Sequence, residues 1–334
     1  MKRNLILLLL LLLATGGYWL FSKGYFSGKK PELRDFAVAD TNSVTKIFMA
    51  DRLGNTVTLT RSRADWMVNG KFEAHRGYLK QLLQTITKVQ VKSPVPKEQF
   101  NSVVKDIAAQ HIKVEIYDDG KLEKTYFVGN STQDRMGTYM LMDGSSTPFV
   151  CELPGFEGFL TPRYITNELT WRNKCVFKIP TEDLSGVLLN YTDTPAYGFQ
   201  LRWTTKSFEL GNALGKATSW LVDTGMVQYY RGLFAGVYAE AYGTVEPGEN
   251  ADSIRNAKPW CTLTVMSKQG VTTLVIHKKA VDIRTKMQYD TQGRPNGFDT
   301  ERYYAFLNND KEPMLIQDYV FGNILRRASD FVRK

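Results

Sequence analysis

Residues able to do chemistry are few in this chain, and their spacing suits little. Three histidines occur, His75, His111 and His277. None sits in H-E-x-x-H, the helical spacing that aims two imidazoles at one zinc ion. His111 and His277 adjoin alternating apolar runs and read as strand-end residues. No G-x-S-x-G elbow exposes a nucleophilic serine. Gly211-Asn212-Ala213-Leu214-Gly215-Lys216-Ala217-Thr218 approaches a phosphate loop. Only three residues separate its glycines where four are needed, and alanine follows the lysine, so it reads as a hairpin or loop. The pairs Asp118-Asp119 and Asn309-Asp310 fall in turns, where such side chains serve local backbone. Glycosidase carboxylates meet in space and not along the chain, so the 34 Asp plus Glu residues leave that chemistry open. The sequence assigns no catalytic, cofactor-binding or metal-binding residue.

The three cysteines are Cys151, Cys175 and Cys261. An odd count without C-x-x-C excludes a disulfide framework and a cysteine zinc site of standard spacing. They are expected as small hydrophobes within strands; a bridge between Cys151 and Cys175 stays open. Tyr229, Tyr230, Tyr238 and Tyr242 are a candidate aromatic binding surface, and their spacing equally suits helix and strand packing.

The elements that position these residues read as a unit written twice in the sequence. Residues 46–70 alternate like strands, with Arg52-Leu53-Gly54-Asn55 as a hairpin loop and Asn69-Gly70 as a turn dipeptide. An amphipathic segment from Tyr78 follows. At an offset of 151 residues, Tyr78, Leu82, Leu83 and Ile86 fall on Tyr229, Leu233, Phe234 and Val237. Trp66 and Trp220 precede the two segments, so Trp66, Trp220, Leu83 and Phe234 mark the repeat, the tryptophans as core pins. Residues 220–222 are expected to repeat the third strand. Pro96 opens a second helix with an apolar stripe at Phe100, Val103, Val104 and Ile107; no counterpart is expected, and residues 248–258 read as a loop. Hairpins are expected about Asp118-Asp119-Gly120, Asp143-Gly144 and Lys268-Gln269-Gly270. Residues 278–300 form a polar insertion, and residues 318–332 a closing amphipathic helix.

The reading is an α+β chain of two tandem related units, mainly antiparallel sheet with packed helices, behind one N-terminal transmembrane helix. Its divisions are 1–22 (anchor or signal segment), 23–43 (tether), 44–172 (first repeat), 173–184 (linker) and 185–334 (second repeat). Lys2 and Arg3 precede an apolar run over residues 5–21, about 26 Å as a helix. Ala14 and Gly16 would suit signal cleavage, whereas Tyr18, Trp19 and Phe21 favour a retained anchor at the membrane interface. Lys plus Arg number 43 against 34 acids, a net +9, which favours anionic partners. The charges are scattered without interleaved aromatics, which argues against nucleic acid.

The anchor, the strand–strand–Trp–helix unit and the later hairpins together resemble the bacterial family filed as domain of unknown function 4340, over nearly everything after residue 40. The resemblance implies an exported accessory subunit of ABC-type transport systems of the gliding-motility kind, and no catalytic residues to carry over. The expected function is a non-enzymatic binding or scaffold protein, single-pass in the inner membrane through residues 5–21, its body in the periplasm beside other envelope proteins. The alternatives are an exported hydrolase of envelope glycans or peptides and a carbohydrate-binding protein.

Overall fold

The computed structural model describes residue 15 and residues 33–333 apart from 64, 205, 217–219 and 244. Most of it is antiparallel sheet, with a few helices, in two large sheets. The chain divides into two compact units, Met1–Lys71 with Arg76–Glu168, and Phe72–His75 with Leu169–Lys334.

The first unit holds β1 (Val44–Asp51), β2 (Thr56–Arg61), β3 (Trp66–Val68), helix α1 (Arg76–Lys88), β4 (Gln90–Pro94) and helix α2 (Lys97–Ala109). Then follow β5 (Ile112–Asp118), β6 (Lys121–Ser131), β7 (Thr138–Met142) and β8 (Phe149–Glu152). Eight strands of this nine-stranded sheet are ordered β3-β2-β1-β5-β6-β7-β8-β4, and a two-residue strand, Phe72–Glu73, adds an edge beside β3. In the second unit come β9 (Leu184–Tyr191), β10 (Phe199–Trp203), β11 (Phe208–Asn212), helix α3 (Thr224–Gly232), β12 (Ala241–Tyr242) and helix α4 (Ala251–Asn256). It continues with β13 (Cys261–Ser267), β14 (Gly270–Lys278), β15 (Arg302–Leu307) and β16 (Met314–Gln317). Here the order is β11-β10-β9-β13-β14-β15-β16-β12, the same arrangement strand for strand. Even a register irregularity recurs at one place, between Val44 and Lys46 against β5, and between Leu184 and Gly186 against β13.

Turn chemistry explains the hairpins. Asp119 and Gly120 between β5 and β6 both take positive φ, 46° and 79°, as the tight turn matching strand twist requires. The helices form where apolar spacing and caps coincide. Asp223 caps α3 by accepting the Met226 N–H at 3.0 Å, and Asn250 caps α4 by accepting that of Ser253 at 3.0 Å.

Register and burial correct the sequence alignment. Leu79, Leu82, Ile86 and Val89 are the buried apolar positions in and just after α1, and Val227, Tyr230, Phe234 and Val237 in and just after α3. Their spacing is identical at an offset of 148 residues, not 151. A slip of three is close to one helical turn, so it preserves an apolar stripe while choosing the wrong partners. Leu83 is only half-buried, and Ile86, not Leu83, corresponds to the buried Phe234. Trp66 lies in β3 opposite Arg61, and Phe208 lies in β11 opposite Trp203, so Phe208 is its counterpart. Trp220 is outside any strand and packs, partly buried, on the second unit's core. The third strand of that unit comes earlier because Gly211 to Lys216 ends β11 instead of preceding it.

Other expectations change as well. Residues 248–258 contain α4, a short counterpart of α2. Residues 318–332 are no single helix. Helix α5 (Asp318–Phe321) stops at Gly322, and a 3-10 turn follows at Ala328–Phe331. Phe321, Ile324, Leu325, Ala328 and Phe331 are nevertheless all buried. The tether read over 23–43 is packed at its end: Phe36 and Val38 are buried, and the Val38 N–H donates to the Ile86 carbonyl at 2.8 Å. Within 173–184, Cys175–Phe177 pairs with Val237–Tyr238, and Phe177 and Ile179 enter the second unit's core. Residues 5–21, Thr15 excepted, lie outside the described residues. Among those described, no helix is long and apolar enough to cross a membrane.

A second layer distinguishes the units. Helix α2 brings Val103 and Ile107 onto the outer face of the first sheet with Val95 and Val150. It approaches so closely that a Cβ on Gly129 would stand 2.9 Å from Ile107 Cγ1 and 3.0 Å from the Tyr139 carbonyl oxygen. The matching position in the second sheet is His277, which is buried against the Phe306 ring. Gly129→Ala is therefore expected to destabilise the first unit by about 1–3 kcal/mol through overpacking, read as a lowered urea midpoint.

Candidate functional site

The tyrosines singled out by sequence do not form one surface. Tyr230 is fully buried, its hydroxyl donating to the Ile324 carbonyl at 2.9 Å, with the rings of Phe199, Phe234 and Phe331 around it. Tyr229, one residue earlier, turns outward, as the helical advance per residue requires. Tyr238 is exposed and Tyr242 half-buried. Asn212 organises the glycine-rich stretch as a turn, its side-chain oxygen accepting the N–H groups of Leu214 and Lys216, both at 3.0 Å. All three cysteines are free thiols on strands, and burial pushes those of Cys151 and Cys261 well up. His111 Nδ1 lies 2.6 Å from the Ile107 carbonyl oxygen at the end of α2. Among the described residues no group of three His, Cys, Asp or Glu side chains could hold a metal ion.

What the fold does build is a cleft at the same place in each unit. Tyr139 faces Val150 across β7 and β8, and Tyr304 faces Leu315 across β15 and β16. Each tyrosine reaches back toward the start of its unit's second helix, α2 or α4. The Tyr139 hydroxyl donates to Gln99 Oε1 at 3.1 Å, and that of Tyr304 to Glu249 Oε2 at 2.5 Å. A cavity remains beside the β6–β7 or β14–β15 connection, about 340 Å³ in the first unit, where Tyr139 and Val150 line it, and about 180 Å³ in the second, where Arg302 and Leu315 do.

The linings differ in charge. The first cleft carries Lys92, Ser93, Gln99, Thr132, Asp134 and Tyr139. Lys92 Nζ is 3.2 Å from Glu152 Oε2 and 3.4 Å from the Met136 carbonyl oxygen. The Thr132 hydroxyl and the Met136 N–H, both donating to Asp134, hold its carboxyl below the usual range. The second cleft is built round Lys279, whose side chain is 2% exposed. Its ammonium bonds the Asp282 carboxylate, with Glu246 Oε1 at 3.4 Å and Asp299 Oδ2 at 3.9 Å. Thr285 donates to Asp299 Oδ2 at 3.2 Å, and Arg302 Nε pairs with Glu240 Oε2 at 2.9 Å. The Lys279 contact draws the Asp282 carboxyl below its ordinary value. An ammonium thus stands among three carboxylates where a bound cation otherwise would, with Arg284 pairing Glu246 from outside, so the cluster acts as an internal ionic pin. Sequence reasoning missed it because its members come from four separated stretches. The available signal was length: residues 278–300 lengthen one hairpin connection and not its counterpart.

His277 sits behind this cleft, buried, with the Phe306 ring edge-on at 5.7 Å. Burial lowers its pKa, and the unfolded chain therefore binds the proton first. Stability is complete above the ordinary histidine range and declines as pH falls through it. Between pH 7 and pH 5 the second unit is expected to lose up to about 1.4 kcal/mol per pH unit from this residue. His277→Leu should remove that share of the slope; His75, also lowered by burial and by Lys174, keeps the remainder. Urea midpoints across pH measure both.

Comparison of the chain with protein-family models, with curated proteins and with solved structures finds no match.

Proposed function

We infer that the chain is a non-enzymatic binding subunit, two units descended from one duplicated module and carried outside the cytoplasm on an N-terminal membrane anchor. Its role is that of an accessory scaffold in an ABC-type transport or envelope complex. The observation that carries the reading is the repeated cleft: one sheet topology offers the same recess twice, with a polar lining in one unit and a charge-locked lining in the other. A scaffold gains from such duplication because each copy presents a distinct surface on an identical frame. Displaced titrations fit the same picture, since burial leads the causes for Cys151, Cys261, Tyr230 and His277. Perturbation by packing differs from the matched acid and base that catalysis uses. The address rests on the apolar run at residues 5–21 behind Lys2 and Arg3, and on the likeness to the domain-of-unknown-function 4340 family.

Crosslinking in intact cells at native expression, followed by purification from solubilised membranes, tests the reading. A constant set of membrane-transport proteins is expected at fixed ratio. Recovery of the chain alone, or from the soluble fraction, counts against it.

A further inference from the structure

The two units join the same pair of strands by connections of very different length. Six residues lead from β6 to β7, and 23 from β14 to β15. The first unit closes its sheet with the short one, so the fold itself does not require the extra residues. Long connections inside compact domains are commonly functional.

This one is held in shape. Lys279 anchors its root to Asp282 and Asp299. Tyr289 bridges Pro295, the Asn296 N–H donates to the Gln288 carbonyl at 2.8 Å, and Asp290 accepts the N–H groups of Gln292 and Arg294. Its charges are sorted by sign. The three acids, Asp282, Asp290 and Asp299, are all buried or half-buried, while Lys278, Arg284, Lys286 and Arg294 are exposed, Arg284 pairing with Glu246 and Arg294 with Asp290 from the solvent side. Large apolar side chains stand outward among those cations: Ile283 is 93% exposed, Tyr289 59%, Met287 50% and Phe298 49%. A loop held in this way, whose exposed charged residues are all cations and stand among large apolar side chains, complements a surface that is anionic outside and apolar beneath, which is the chemistry of a lipid interface.

We propose that the loop at residues 278–300 docks on the surface of an anionic bilayer, Ile283, Met287 and Tyr289 entering the interface while Lys286 meets headgroups beside the Arg284–Glu246 pair. The proposal rests on the anchored reading only for keeping the loop close to lipid.

The test uses the full chain in nanodiscs of 3:7 phosphatidylglycerol to phosphatidylcholine, and in nanodiscs of phosphatidylcholine alone. Trypsin cleavage after Arg284 and Lys286 is followed by mass spectrometry. Cleavage in the anionic discs is expected to be at least fivefold slower, with the protection lost in 0.5 M salt and in the Ile283→Ser/Met287→Ser/Tyr289→Ser variant. Cleavage after Arg63 serves as the reference and should not change. Equal rates in both discs overturn the proposal. So does protection seen in native membranes but in neither disc, which would assign the loop to a protein partner. A chain that fails to enter discs refutes the anchor instead; cosedimentation of that chain with vesicles of the two compositions then decides the loop, and binding equal for both lipids overturns it.

Discussion

Replacing Lys279 by methionine is expected to cost the second unit about 3–5 kcal/mol, the usual loss when one partner of a buried charge group is removed. Methionine keeps most of the stem volume, so the loss reports charge. Glu246, Asp282 and Asp299 would remain around the vacated position. The sign of the carboxylates' pH response should reverse with the substitution. In the native chain Asp282 lies below its ordinary value, so its stabilisation is present above the carboxylate range and lost as pH falls through the folded pKa. Without the ammonium, mutual repulsion and burial favour the protonated acids, so relative to the native chain the variant gains stability as pH drops from 7 toward 5, the His277 and His75 losses being common to both. Denaturant midpoints of both proteins across that range check the reversal; parallel curves would show that Lys279 contributes packing alone.

The second large effect separates the two cores. Leu82→Ala should cost the first unit about 2–5 kcal/mol, and Tyr230→Ala the second about 3–5 kcal/mol, because both side chains are fully buried at matching helical positions. Tyr230→Phe keeps the ring and loses the bond to the Ile324 carbonyl, costing about 1 kcal/mol. Hydrogen exchange followed by mass spectrometry should place each change. Leu82→Ala is expected to speed exchange in β1 to β8, and Tyr230→Ala in β9 to β16. Uniform acceleration in either variant would mean that the units unfold as one.

How much of this was legible depended on the range of the signal. Hairpins were, because a turn is decided by two adjacent residues, as at Asp119-Gly120. The repeat was visible, but its alignment was not. An apolar stripe looks alike when moved by a helical turn, and only burial distinguished Leu82 with Tyr230 from Leu82 with Leu233. Trp220 misled for a similar reason: a large aromatic before a helix resembled Trp66, whereas strand pairing assigns that role to Phe208. Gly322 broke the closing helix although its apolar period continued, since burial of Ile324 and Phe331 does not depend on an unbroken helix. The Lys279 pin joins Glu246 to Asp299 across more than fifty residues, and no local pattern encodes such a meeting.

The tetrapeptide Phe72–His75 belongs to the second unit although it lies within the first unit's stretch of chain. There Ala74 bridges Arg172, the His75 N–H donates to the Trp171 carbonyl at 2.6 Å, and the Asn173 N–H donates to that of Glu73 at 2.8 Å. No single cut of the gene therefore yields two intact halves. A product beginning at Leu169 lacks the backbone partners of Trp171, Arg172 and Asn173, and one ending at Glu168 keeps the tetrapeptide but loses those three residues.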